Sequence, residues 1–153
     1  MSESMQNIKL RFVTCGDLVS ALIRDKTFCA YSHVEFVLND GTTLGAHAEG
    51  GVAIRPANYD NFTKIAVFNV PVATDEVKAS ILAFAMAQVG KPYDFGAIAG
   101  LVLNRDWRNT SKWFCSELVA AAFEQGQPLL RVADSVDRIT PRDVLLSLCL
   151  VEA

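Results

Sequence analysis

The stretch "SHVEFVLNDGTTLGAHAEGGVAI", residues 32–54, carries both histidines of the chain, and its pattern predicts how they meet. The runs 32–38 and 42–48 are short and rich in β-branched and aromatic residues, and Asn39-Asp40-Gly41 between them predicts a β-hairpin. If the loop has three residues, with Gly41 left-handed, Leu38 faces Thr42 and His33 lies across from His47 on one face of the sheet. A two-residue Asp40-Gly41 loop instead pairs His33 with Ala48 and sends His47 to the other face. Imidazole is the side chain best suited to accept a proton near neutral pH, so two histidines on one face could share a site; the alternative is that both are hydrogen-bonded or half-exposed structural residues.

Outward from the hairpin, "IKLRFVTC" (8–15), "GVAIRP" (51–56) and "KIAVFNV" (64–70) read as further strands of an antiparallel meander. From Thr74, an N-cap followed by Asp75 and Glu76, apolar positions recur at helical spacing until Gly90 and Pro92 stop the run. A second helix is expected from Ser111 to Gln125, ended by Gly126 and Pro128. A third starts at "TPRDVLLSL", where Thr140 caps and Pro141 takes the first helical position. Strands followed by helices predict an α+β fold, and 153 residues with 51% hydrophobic and 20% charged content fit one domain over 1–153.

A net charge of -3 without a Lys/Arg cluster argues against nucleic acid or anionic lipid as a partner. The start, "MSESMQNIKLRF", lacks the basic and apolar regions of an export signal. The longest apolar run, "GAIAGLVL" (96–103), is too short for a transmembrane segment, so a cytoplasmic protein is expected. Cys15, Cys29, Cys115 and Cys149 have neither secretory context nor C-x-x-C spacing, which predicts reduced thiols, with Cys15, Cys29 and Cys149 as packing residues. A metal site from His33, His47 and a cysteine lacks a further ligand nearby; Cys29, the nearest, precedes the strand. No metal and no cofactor are therefore expected.

The remaining cysteine, Cys115, sits in "KWFCSELVAAAF" (112–123) at the first turn of an apolar helix, where it is either a core thiol or a nucleophile held at a helix N-terminus. Here the residues carry a family resemblance. "SHVEFVLNDGTTLGAHAEGGVAI" resembles the His-bearing half of the NlpC-type papain-like cysteine peptidases, and "GDLV" (16–19) the segment before it. "GKPYDFG" (90–96), "FCSELV" (114–119) and "PLLRVADS" (128–135) resemble the Gly-x-Pro-Tyr segment, the nucleophile helix start and the tail of the other half. The histidine half comes first, as in the circularly permuted branch that includes the YiiX-like proteins and the lecithin:retinol acyltransferase relatives. The resemblance covers roughly residues 14–145.

It implies a papain-like fold in permuted order and a cysteine-dependent hydrolase working through an acyl-thioester on an amide, peptide or isopeptide bond. A lipid ester hydrolase or acyltransferase with the same site, and a non-catalytic binding or scaffold module, are the alternatives. Cys115 would be the nucleophile, with its thiolate favoured by the helix N-terminus, and His33 the base. His47 would match the polar residue that orients the base, with Glu49 in reserve. Tyr93, Trp113, Phe114 and Glu117 would contact a peptide, amide or acylated substrate. "AIAGLVLNRDWRN" (97–109) is longer than the family's loop and suggests a lid or a specificity element, and Trp107 and Trp113 either line a groove wall or cover the edge of the core. Cell-wall peptidases of this type place an aspartate before the cysteine and a glycine two residues after it. Phe114 and Glu117 stand there instead, which implies that cell-wall stem peptides are poor substrates.

Overall fold

The computed structural model describes residues 6–103, 111–130, 139–147 and 149–153. In chain order the elements are β1 (Gln6–Thr14), α1 (Leu18–Thr27), β2 (His33–Val37), β3 (Thr43–His47), β4 (Gly51–Arg55), β5 (Lys64–Val72), α2 (Asp75–Ala87), α3 (Phe95–Leu103), α4 (Cys115–Phe123), α5 (Pro141–Leu145) and β6 (Val151–Glu152). The strands form one antiparallel sheet in the order β4-β3-β2-β1-β5-β6. The first four strands are the expected meander. The fifth departs from it, returning to the far side of β1 and pairing with that strand from Gln6↔Val72 to Thr14↔Lys64.

The β2–β3 hairpin closes with the three-residue loop. Leu38 N donates to Thr42 O at 2.8 Å, Gly41 N donates back to Leu38 O, and Gly41 has φ +83°, which glycine adopts without steric cost. The ladder runs Val37↔Thr43 and Phe36↔Leu44, and continued backwards this register sets Glu35 across from Gly45 and His33 across from His47.

Strand alternation then separates two faces. Ile8, Leu10, Phe12, Val34, Phe36 and Leu44 join the core with Ile81 and Ala85 of α2 and Leu118, Val119, Ala122 and Phe123 of α4. Phe36 stacks on Phe123 with ring centroids 6.0 Å apart, fixing α4 against the hairpin. The opposite face of β1 and β2 bears Lys9, Arg11, His33 and Glu35, and there Arg11 is paired directly with Glu35.

Thr74 caps α2, and Thr140 caps α5 in a reciprocal box with Asp143, as their sequences predict. The second helix starts at Cys115 rather than Ser111, because Trp113 is held in an isolated bridge to Tyr93 and Phe114 is an extended N-cap. Two helices were not expected. Asp17 caps α1 by accepting from Ser20 N, and part of the expected connection over 97–109 is instead helix α3. The rest of that segment, including Trp107, lies outside the described residues, as does most of "PLLRVADS". No helix among the described residues is long and apolar enough to cross a membrane.

Candidate active site

The histidine half and the cysteine half meet through backbone contacts. Gly51, at the start of β4, has φ +70°, and a Cβ there would lie 2.3 Å from the carbonyl oxygen of Lys91. Only glycine admits this approach, which lets Val52 N donate to Lys91 O and Gly90 N to Val52 O. The turn so docked leads directly to Tyr93, and Asp94 N donates to Trp113 O, drawing in the segment that leads into Cys115.

Cys115 is the first residue of α4, where helical backbone N–H groups lack intrahelical acceptors. It is 1% exposed, and its sulfur lies 4.0 Å from the carbonyl oxygen of Ser32, the residue before His33. His33 opens β2. Burial opposes its charge, but hydrogen bonds with Cys115 and Glu35, and the negative charge of both, push its pKa up to about 10.

The carboxylate beside His33 is Glu35, which the sequence reading did not single out. Glu35 Oε2 lies 3.3 Å from His33 Nε2 and accepts from the Tyr59 hydroxyl at 3.2 Å. Oε1 accepts two bonds from Arg11, at 2.8 Å from Nε and 2.5 Å from a terminal nitrogen. Burial would raise the Glu35 pKa, but His33 and Arg11 outweigh it and hold it at about 2. Arg11 also donates to Ala57 O and lies over the rings of Tyr59 and Phe62. The sequence held a signal: His33 and Glu35 are two apart in a strand and share a face, while Val34 and Phe36 take the core. A glutamate in such a strand, opposite an arginine, marks a buried ion pair.

His47 lies on the same face as His33, as the three-residue loop requires, with ring centroids 4.9 Å apart and planes inclined by 32°. Its relation to His33 is stacking, its ring meets Tyr59 edge-on, and its Nε2 is buried without a hydrogen-bond partner among the described residues. Burial first, then the charges of His33 and Arg55, hold its pKa down at about 3. The hydrogen bond to His33 expected of His47 is thus made by Glu35. Two residues along a strand bring a carboxylate to the imidazole nitrogen, whereas the cross-strand position brings ring against ring.

A cleft of about 280 Å³ opens beside these groups, with His33, His47, Tyr59 and Tyr93 in its walls. Glu49 also lines it, and its carbonyl accepts from Arg55. Of the four residues expected to meet substrate, Tyr93 alone lines this cleft. Burial, and then the charge of Cys115, push its hydroxyl pKa well above the usual tyrosine value. Phe114 is buried against the Tyr93 ring, and Glu117 is 5% exposed on α4. Trp113 donates its indole N–H to Gln88 and packs on Phe84, covering the core edge. Cys15 lines the cleft too, but burial and the nearby Asp60 and Asp17 carboxylates push its thiol pKa up to about 12.

His33, Glu35 and His47 also form a potential metal-ligating group, with one donor atom from each lying within 4.8 Å of the others. The third donor that the sequence did not place near the two histidines is Glu35 rather than a cysteine.

A helix-borne cysteine set against a strand-borne histidine, histidine half first, defines a papain-like protein in permuted order. The chain belongs to the family of permuted papain-like amidases, the YaeF/YiiX or C92 family, whose model matches residues 12–143. In structure it is similar to YiiX of Escherichia coli O157:H7, described as a metalloprotein, with a TM-score of 0.72, 18% identity, and coverage of 97% of this chain and 96% of that one. Among curated proteins none matches the sequence.

Proposed function

We propose that this protein is a cysteine amidase or peptidase in which Cys115 is the nucleophile, His33 the general base and acid, and Glu35 the residue that orients and charges the base. The observation that carries the reading is the run Cys115–His33–Glu35–Arg11, which starts at the N-terminus of α4 and continues along the sheet face opposite the one packed on that helix. Because Nε2 of His33 faces Glu35, Nδ1 is the nitrogen left for the thiol. The Cys115 proton passes to it, and the sulfur attacks the substrate carbonyl. The oxyanion formed is taken by the Cys115 backbone N–H at the helix N-terminus. Collapse breaks the C–N bond, and His33 returns its proton to the departing amine. Water, deprotonated by His33, then hydrolyses the thioester and restores the thiol. Glu35 stays ionised throughout and stabilises the imidazolium without taking its proton.

His47 and Tyr93 line the cleft on the substrate side of this chain. The preferred substrate is an acylated or isopeptide-type carbonyl rather than a cell-wall stem peptide, since the position before the nucleophile is the buried ring of Phe114. Release of amine from a panel of N-acyl amides, N-acyl lysine peptides and matched esters by the wild-type protein and Cys115→Ala tests the reading. Amide turnover lost in Cys115→Ala supports it; turnover retained in that variant contradicts it.

A further inference from the structure

The geometry points to a binding site for one transition-metal dication of the zinc type at His33, Glu35 and His47, and to its occupation switching the protein off. His47 offers the independent observation: its Nε2 is buried without a partner, on a residue 6% exposed. A buried imidazole nitrogen left unpaired costs free energy that a ligand can recover. The donors around it are already close, all within 4.8 Å of one another. The 3.3 Å between His33 Nε2 and Glu35 Oε2 matches the ~3.3–3.5 Å edge of a tetrahedron with bonds of about 2.0–2.2 Å, so His47 alone must shift.

The surroundings select the ion. Two imidazoles and one carboxylate oxygen suit zinc and its neighbours over magnesium or calcium, which prefer all-oxygen shells. Arg11 occupies Oε1 of Glu35 and leaves Oε2 as a single donor, fixing its direction in the way outer partners orient metal ligands. Gly45 keeps the space open, because a Cβ there would lie 3.2 Å from His33 Nε2. The cleft gives the ion a path in and room for water as a fourth ligand.

The inhibitory part rests on the cysteine-hydrolase reading. A neutral imidazole coordinated through Nε2 carries its proton on Nδ1, the nitrogen that must accept the Cys115 proton. The metal therefore takes the place of Glu35 at the base and leaves the thiol without an acceptor.

The chain has just two histidines, which gives a test on the unaltered protein. Tag-free, chelator-treated protein is titrated with Zn²⁺ while both imidazoles are followed by long-range ¹H–¹⁵N NMR. One equivalent is expected to shift both rings and to slow iodoacetamide alkylation of Cys115 at least tenfold. Cys115→Ala is expected to keep the affinity, and His47→Gln, with its fold checked by circular dichroism, to lose it at least tenfold. Absence of stoichiometric binding, binding that moves neither ring or only one, or loss of binding in Cys115→Ala would overturn the site. Full Zn²⁺ occupancy with unchanged alkylation would overturn the inhibition. Ring shifts in a protein that turns over no amide would instead count against the hydrolase reading.

Discussion

Glu35 Oε2 stands 3.3 Å from His33 Nε2, and the two residues sit on one strand with a single core valine between them. The strand itself thus holds imidazole and carboxylate in register, and Arg11, paired with Glu35 from the neighbouring strand, fixes the carboxylate from behind. Replacing Glu35 by Gln removes the charge that favours the imidazolium while keeping the shape. Amide kcat/KM should fall by on the order of 10²–10⁴-fold, in the manner of other triads that lose their carboxylate. Alkylation of Cys115 should slow more at pH 6 than at pH 9. A loss of activity with an unchanged alkylation profile would assign Glu35 a purely structural role.

Arg11 is tested separately. It is 6% exposed and Glu35 is fully buried, so Arg11→Met leaves a carboxylate without its cation and should cost about 3–5 kcal/mol in urea unfolding. The double variant Arg11→Met with Glu35→Leu should recover most of that loss while remaining inactive. Failure of the second change to restore stability would contradict the pairing.

Gly45 makes room for the site. A Cβ there would lie 3.0 Å from Glu35 Cβ and 3.2 Å from His33 Nε2, so Gly45→Ala must push the imidazole aside. About 1–3 kcal/mol of stability and at least tenfold in activity should be lost, read by urea melts and amide turnover. Wild-type activity in this variant would mean that the ring has slack the structure does not show.

The fold was legible where local pattern decides it. Asn39-Asp40-Gly41 marked the hairpin but left its loop length open, the strands followed from their β-branched and aromatic content, and α2 and α5 from Thr74 with Asp75 and Glu76 and from Thr140 with Pro141. Helix α1 was missed because its apolar stripe is short and its cap, Asp17, stands between Gly16 and Leu18 without an acidic first turn. Helix α3 reads as continuous apolar sequence without helical periodicity. In the candidate site, Cys115 and His33 were singled out through the family resemblance, whereas Glu35 was not singled out at all. Its role depends on burial opposite Arg11, a pairing between strands that the sequence separates by 24 positions.

His47 predicts a pH dependence of stability. Its folded pKa of about 3 lies below the ordinary histidine value of about 6.5, so below pH 6.5 the unfolded chain binds a proton the folded one refuses, and stability falls as pH falls. Between pH 6.5 and 4.5 the neighbouring groups add little slope. His33, pushed up to about 10, is protonated in the folded state, and largely so unfolded as the pH drops, and Glu35, held at about 2, stays ionised. In chelator-containing buffer, unfolding free energy should drop by about 1–3 kcal/mol across this window. His47→Gln should remove most of that drop; equal slopes would contradict a neutral, buried His47.

Substrate choice offers a further check. Phe114 occupies the position before Cys115, buried against Tyr93, and cannot pair with the free amine of a stem peptide as a carboxylate does. Muropeptides should therefore be cleaved at least tenfold less efficiently than N-acyl amides of similar size, in assays where Cys115→Ala sets the background. Efficient, Cys115-dependent cleavage of muropeptides alone would reverse this assignment.

The most direct measurement is a mass-spectrometric map of all four cysteines after brief exposure to electrophilic acyl probes at neutral pH. Cys15 is the internal control, since it lines the cleft beside His33 but is held as a thiol by burial and by Asp60 and Asp17. Acylation is predicted at Cys115, sparing Cys15, Cys29 and Cys149, and slowed at least a hundredfold by His33→Ala. Uniform labelling of the four thiols, an unreactive Cys115, or acylation of Cys115 that is indifferent to His33 would contradict the account.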